Sequence, residues 1–139
     1  MRGPEGEDTG RIPLVGKFGS VGNAADLHGP QLGPDGWLYF CDGRNGHEIT
    51  LGDGTKIKGT ASGLYRCKPD GTMFERLFAG GMDNPVEVAF TSEGDTIGTM
   101  TFYNPDEVRH DALVHFVYGG VYPRKHPCTA EFKRTGELM

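Results

Sequence analysis

Three short turns of one kind constrain this chain more than anything else in it. Pro34-Asp35-Gly36, Pro69-Asp70-Gly71 and Ser92-Glu93-Gly94 each end in an acidic residue followed by glycine. Proline at the first central position presets φ, and glycine accepts the positive φ that such turns require. Around them lie short runs with strand character. Trp37–Cys41 follows the first turn, Gly63–Lys68 leads into the second, and Met73–Phe78 leaves it. Val86–Phe90 runs into the third, and Asp95–Phe102 follows. Asp53-Gly54 marks a further hairpin turn. In Ala112–Val117 both alternating sets are largely apolar: Ala112, Val114 and Phe116 against Leu113, His115 and Val117. That pattern predicts a strand buried on both faces, with His115 packed inside it.

Two of the turns head a longer repeat. Leu32-Gly33-Pro34-Asp35-Gly36 aligns with Phe90-Thr91-Ser92-Glu93-Gly94, 58 residues further on. A proline-containing entry precedes each, His28-Gly29-Pro30 and Asp83-Asn84-Pro85. A four-stranded propeller blade takes roughly 40–50 residues, so this period fits one blade with a generous loop. The loop is expected at Gly43 to Ala61. The fold class is therefore all-β, a partial six-bladed β-propeller of about two blades. A β-sandwich is the competing architecture, but its turn signals come every 8–12 residues without a long period.

Composition narrows the function classes. The 23 glycines and 9 prolines punctuate apolar runs instead of forming low-complexity tracts, so disorder is rejected. A net charge of −5 with no Lys/Arg stripe argues against nucleic acid as a partner. No apolar run approaches the ~20 residues of a membrane-spanning helix. The first eight residues lack the apolar stretch of a signal peptide. Cys41, Cys67 and Cys128 are too few and too irregular for a disulfide framework or zinc ribbon. Buried thiols are the expected state, with a Cys41–Cys67 bridge between neighbouring strands as the other.

The ordered series His28-Gly29-Pro30-Gln31-Leu32-Gly33-Pro34-Asp35-Gly36-Trp37-Leu38-Tyr39-Phe40, Gly63-Leu64-Tyr65-Arg66, Asn84-Pro85 with Val88-Ala89-Phe90, and Val117-Tyr118-Gly119-Gly120-Val121-Tyr122 resembles the glucose/sorbosone dehydrogenase family. These are six-bladed propellers that include PQQ-dependent sugar dehydrogenases. The resemblance is nearest to the propeller domain of bacterial membrane-bound dehydrogenase-like proteins. It spans about residues 12–127. It implies a flexible segment at 1–11, a partial propeller at 12–127 and the tail of a truncated chain at 128–139. The remaining blades of a parent propeller would be the partner, in a periplasmic or secreted compartment.

The resemblance also implies a chemistry. In intact relatives, hydride passes from a sugar C–OH to PQQ while a histidine takes the hydroxyl proton, and His28 matches that histidine. It stands closer to Gly33 than the family's residue does. Imidazole as a class suits such proton transfer. Ca²⁺ accompanies PQQ there, and Asn104 and Asp106 are the candidate ligands. Asp42, Asn45 and Glu48 form a second polar cluster. Against this, Asp83 occupies the position directly before Asn-Pro where the relatives carry arginine. A carboxylate cannot stabilise a developing negative charge. Arg44 is the nearest basic residue to the Asp42-Gly43 strand end. The expected function is thus a quinoprotein-like sugar dehydrogenase fragment acting on a sugar or other small alcohol, inactive alone. The alternative, which Asp83 favours, is a non-catalytic propeller module for binding or scaffolding. A lactonase or hydrolase of the same shape would need several inward carboxylates around Ca²⁺.

Overall fold

A computed structural model of the chain describes residues 14–80, 82–102, 110–122 and 130–131. The segment 1–11 lies outside the described residues, as does most of 128–139. Within them the chain is all-β, with no α-helix. Ten strands run in order: β1 (His28–Leu32), β2 (Leu38–Asp42), β3 (His47–Thr50), β4 (Lys56–Gly59), β5 (Ser62–Cys67), β6 (Glu75–Gly80), β7 (Asn84–Phe90), β8 (Thr96–Phe102), β9 (His110–Phe116) and β10 (Val121–Tyr122).

Turn chemistry sets the topology. Four turns share one hydrogen-bond pattern: 33–37, 51–55, 68–72 and 91–95. In each, the first residue's N–H donates to the fifth residue's carbonyl, and a glycine N–H at the fourth position donates back to the first. The distances are 2.8 and 3.0 Å at Gly33, 2.8 and 2.9 Å at Leu51, 2.9 and 2.8 Å at Lys68, and 3.0 and 3.1 Å at Thr91. The four glycines, Gly36, Gly54, Gly71 and Gly94, have φ between +76° and +93°. Such a conformation disfavours any side chain with a Cβ. In three turns the third residue is aspartate, and its Oδ1 accepts from the fifth N–H: Asp35 to Trp37, Asp53 to Thr55 and Asp70 to Thr72. The fourth turn has the longer Glu93, and there Thr91 Oγ1 takes that bond from Asp95 N–H.

The 58-residue repeat is structural as well as textual. Leu32 pairs with Leu38 and Gln31 with Tyr39. At the same offset, Phe90 pairs with Thr96 and Ala89 with Ile97. Both hairpins slip register just upstream, between His28 and Gln31 and between Pro85 and Val88. The first sheet has the order β1-β2-β5-β6-β10, antiparallel except for the parallel β6–β10 pair. The second is β7-β8-β9. None of the described sheets closes on itself.

The expected loop at 43–61 is itself folded. It forms the β3–β4 hairpin, with Ile49 opposite Ile57 and the turn at Asp53-Gly54. This hairpin covers one face of the first sheet, where Phe40, Ile49, Tyr65, Cys67 and Phe74 cluster. The other face packs against the second sheet through Tyr39, Cys41, Leu64, Phe78, Val88, Met100 and Phe116. The interior strand β2 is therefore buried on both sides. Fully burying each large apolar side chain contributes roughly 1.5–3 kcal/mol.

Two expectations need correction. β9 is buried on one face only: Phe116 is covered, whereas Leu113 is 76% exposed and Val117 57%. His115 is not packed inside the strand. It sits on the exposed face with Nε2 3.2 Å from Asp95 Oδ1. Asp111, Leu113 and His115 are all exposed, so no described layer covers the face that carries the second set. The expected state of Cys41 and Cys67, buried thiols, holds, and the alternative bridge between them does not form. Cys67 lies opposite Leu38 and Cys41 opposite Leu64, so the two thiols project from opposite faces into different clusters. Both are free and buried.

Candidate functional site

One end of the two sheets collects most of the chain's chemistry. The start of β1, the end of β2, the start of β7 and the end of β8 meet there, as the pairs His28–Cys41 and Asn84–Thr101 record. Three of the residues singled out in the sequence, His28, Arg44 and Asp83, stand at this end.

The loop before β1 is fixed by one carboxylate. Asp26 accepts hydrogen bonds from Ser20 Oγ and from the Val21, Gly22 and Asn23 N–H groups at 2.7–3.2 Å. Asn45 Nδ2 adds a fifth at 2.7 Å. These donors favour the charged form. The Val21 N–H above all holds the Asp26 carboxyl down to about 2. The loop so anchored presents the Ala24 carbonyl to His28 Nε2 at 2.7 Å. A carbonyl only accepts, so Nε2 carries the hydrogen, and the neutral ring keeps its lone pair on Nδ1. His28 lines a cleft of about 320 Å³ between β1 and β7, opposite Glu87 and Val88.

Arg44 reaches across to Asp83. Gly43 packs so closely on the Ala25 backbone that a Cβ would fall 2.4 Å from the Ala25 carbonyl oxygen. That contact sets the chain path at Arg44. The Arg44 guanidinium forms an ion pair with Asp83, whose side chain is 4% exposed against 38% for arginine. The two charges cancel. The pair borders a recess of about 180 Å³ together with Ala24, Asn84 and Thr101. Asn84 Oδ1 is buried there without a hydrogen-bond partner. Thr101 Oγ1 donates to Asp111 Oδ1 at 2.8 Å.

Behind Arg44 lies a buried polar group that sequence reasoning did not assemble. Asp42 is wholly buried, and neither carboxylate oxygen has a hydrogen-bond partner among the described residues. His47 Nδ1 stands 3.8 Å from Asp42 Oδ2 and 3.4 Å from the Tyr65 hydroxyl. Burial pushes the Asp42 carboxyl above the usual carboxylate range, against the opposing pull of His47. Burial also raises the Tyr65 phenol. Asp42 and His47 are only five residues apart, but Tyr65 reaches them by strand pairing, which no spacing rule reports.

The calcium candidates fare differently. Asn104 and Asp106 lie outside the described residues. The second cluster separates: Asp42 is buried, Asn45 bonds Asp26 and the Ala25 carbonyl, and exposed Glu48 pairs with Lys58 at 3.1 Å. Among the described residues, no three His, Cys, Asp or Glu side chains are grouped to hold a metal. PQQ is a polyanion and needs net positive charge around it. Arg44 is neutralised by Asp83 and stands beside the uncharged Asn84 and Thr101, so the described recess does not fit that cofactor. Among the described residues, no helix is long and apolar enough to cross a membrane. No family model, curated protein or solved structure matches this chain.

Proposed function

We propose that the two stacked sheets are neighbouring blades of a β-propeller, and that their strand-entry recess binds a neutral, hydroxyl-rich small molecule of the sugar class. In this reading the chain is a binding module and carries no redox centre of its own. The observation that carries it is the Arg44–Asp83 ion pair, in which a carboxylate stands at the position where the dehydrogenase resemblance expects arginine. A neutralised pair repels neither charge sign. Arg44, 38% exposed, still presents N–H donors to the recess, which hydroxyl oxygens can meet. Asn84 Oδ1 supports the same reading, because a buried acceptor without a donor is costly until a ligand O–H reaches it.

A second reading, oxidation of a small alcohol, is favoured by one separate observation. The Ala24 carbonyl holds the His28 tautomer that leaves Nδ1 as the proton acceptor. The hydride acceptor would have to be held outside the described residues.

A ¹H–¹⁵N NMR titration of the chain distinguishes the two. Glucose or another neutral polyol is expected to shift the Ala24, Arg44, Asn84 and Thr101 amides saturably. PQQ with Ca²⁺ is expected to leave them in place. The opposite pattern, saturation by PQQ and indifference to polyols, would overturn the binding-module reading and favour the dehydrogenase.

A further inference from the structure

The opposite end of the same two sheets holds a second cleft, of about 350 Å³, between the 33–37 and 91–95 turns. Its walls are aromatic. Tyr39 and Phe90 meet edge to face with centroids 4.8 Å apart, and Phe116 stacks on Phe78 at 4.0 Å. Tyr118, 71% exposed, stands at the mouth. The two turns that frame the cleft each contribute a carboxylate, Asp35 and Asp95.

Charge decides what such a cleft accepts. Arg66 is the one Lys or Arg among its lining residues, and its charge is already met. Its Nε donates to Glu75 Oε1 and its Nη1 lies 3.3 Å from Asp35 Oδ2. Its guanidinium carbon sits 4.3 Å over the Trp37 ring, which draws the group to the rim. His115 is bonded to Asp95. Among the lining residues Asp35 and Asp95 outweigh Arg66, so the cleft disfavours anions. Ring faces carry the negative part of the aromatic quadrupole and attract a cation within about 6 Å of their centroids. Carboxylates at the rim add to that attraction. The floor of Leu64 and Leu77 suits a short apolar body.

The geometry points to a binding site for a small organic cation, a compact alkylammonium or quaternary ammonium, in this cleft between the two turns. The site is independent of the recess at the other end and shares no charged residue with it.

The test compares choline with its uncharged isostere 3,3-dimethylbutan-1-ol in ¹H–¹⁵N NMR titrations of the whole chain. Choline is expected to shift the Gly94, Asp95, Thr96 and Tyr118 amides saturably, and the isostere to bind about tenfold more weakly or less. Asp95→Asn should weaken choline roughly three- to tenfold, and Tyr118→Ala should weaken it too. Both residues are exposed, so a spectrum unchanged elsewhere would show that each variant is folded. Equal binding of choline and the isostere, no saturable shifts with choline, or an Asp95→Asn variant with unchanged affinity would each overturn the proposal.

Discussion

Replacing Asp42 by asparagine should make this protein more stable, although it removes a buried ionisable group beside a histidine. The side chain is 0% exposed, and among the described residues both oxygens lack hydrogen-bond partners. The nearest ring nitrogen, His47 Nδ1, is 3.8 Å away, beyond hydrogen-bond reach. A buried charged group left unsatisfied costs about 1–3 kcal/mol or more. Asparagine keeps the shape, drops the charge and offers an N–H toward His47. The expected gain at pH 7 is about 1–3 kcal/mol, a rise in Tm of roughly 3–12 °C for a chain of this size. The pH dependence has a definite sign. Burial raises the Asp42 carboxyl in the folded state. Its penalty is therefore absent below the unfolded value near 4, grows as pH rises through the folded value, and then levels off. The advantage of the variant should shrink toward zero as the pH falls from 7 to about 4. Paired urea melts of both proteins at pH 4, 5, 6 and 7 measure this difference directly. A variant less stable than the parent at pH 7, by an amount that grows with pH, would refute the reasoning. It would mean that a partner stabilises the carboxylate.

Three further outcomes follow from the same structure. Carboxyl NMR should place the Asp26 midpoint at about 2, with its stabilisation present above the unfolded value near 4 and lost as pH falls through about 2. A midpoint near 4 would mean that the 20–26 loop is open in solution. Burial pushes the Cys41 thiol up to about 12 and raises Cys67 as well, so a thiol reagent at pH 8 should label neither until the chain is unfolded. Peptide mapping after mild oxidation should find no Cys41–Cys67 disulfide, and its appearance would contradict their placement on opposite faces.

Much of the fold was legible because it is written locally. An acidic residue followed by glycine states a turn in two positions, and alternation on either side states the strands. Even so, two strands escaped: His28–Leu32 reads as a proline-containing entry, yet it pairs with β2, and Val121–Tyr122, read only as the end of a Gly-Gly segment, pairs with β6. Periodicity misled at β9, where two apolar sets suggested two buried faces. The alternation shows what each face is made of, but only the neighbouring layer decides whether that face is covered. The candidate site was legible residue by residue and illegible as an arrangement. Arg44 and Asp83 each stood out, but the ion pair joining them spans 39 positions and two sheets, which no local pattern encodes. The aromatic cleft was hidden for the same reason, since Tyr39 and Phe90 meet only when the repeats stack.

The four alike turns also bear on the order of events in time. Each joins strands whose flanking residues are a few positions apart, so loop closure there is cheap. Hairpins of this kind form in about 1–10 μs. The β1–β2, β3–β4, β5–β6 and β7–β8 hairpins are therefore independent early units, each nucleated by its own glycine. Pairing β2 with β5 must wait until residues 43–61 are gathered in, and the parallel β6–β10 contact must span a still longer stretch. Contacts far apart in sequence are the slow ones. The rate of folding is thus governed by the docking of preformed hairpins, and the Tyr39–Phe90 contact between the sheets belongs to the final, slowest step.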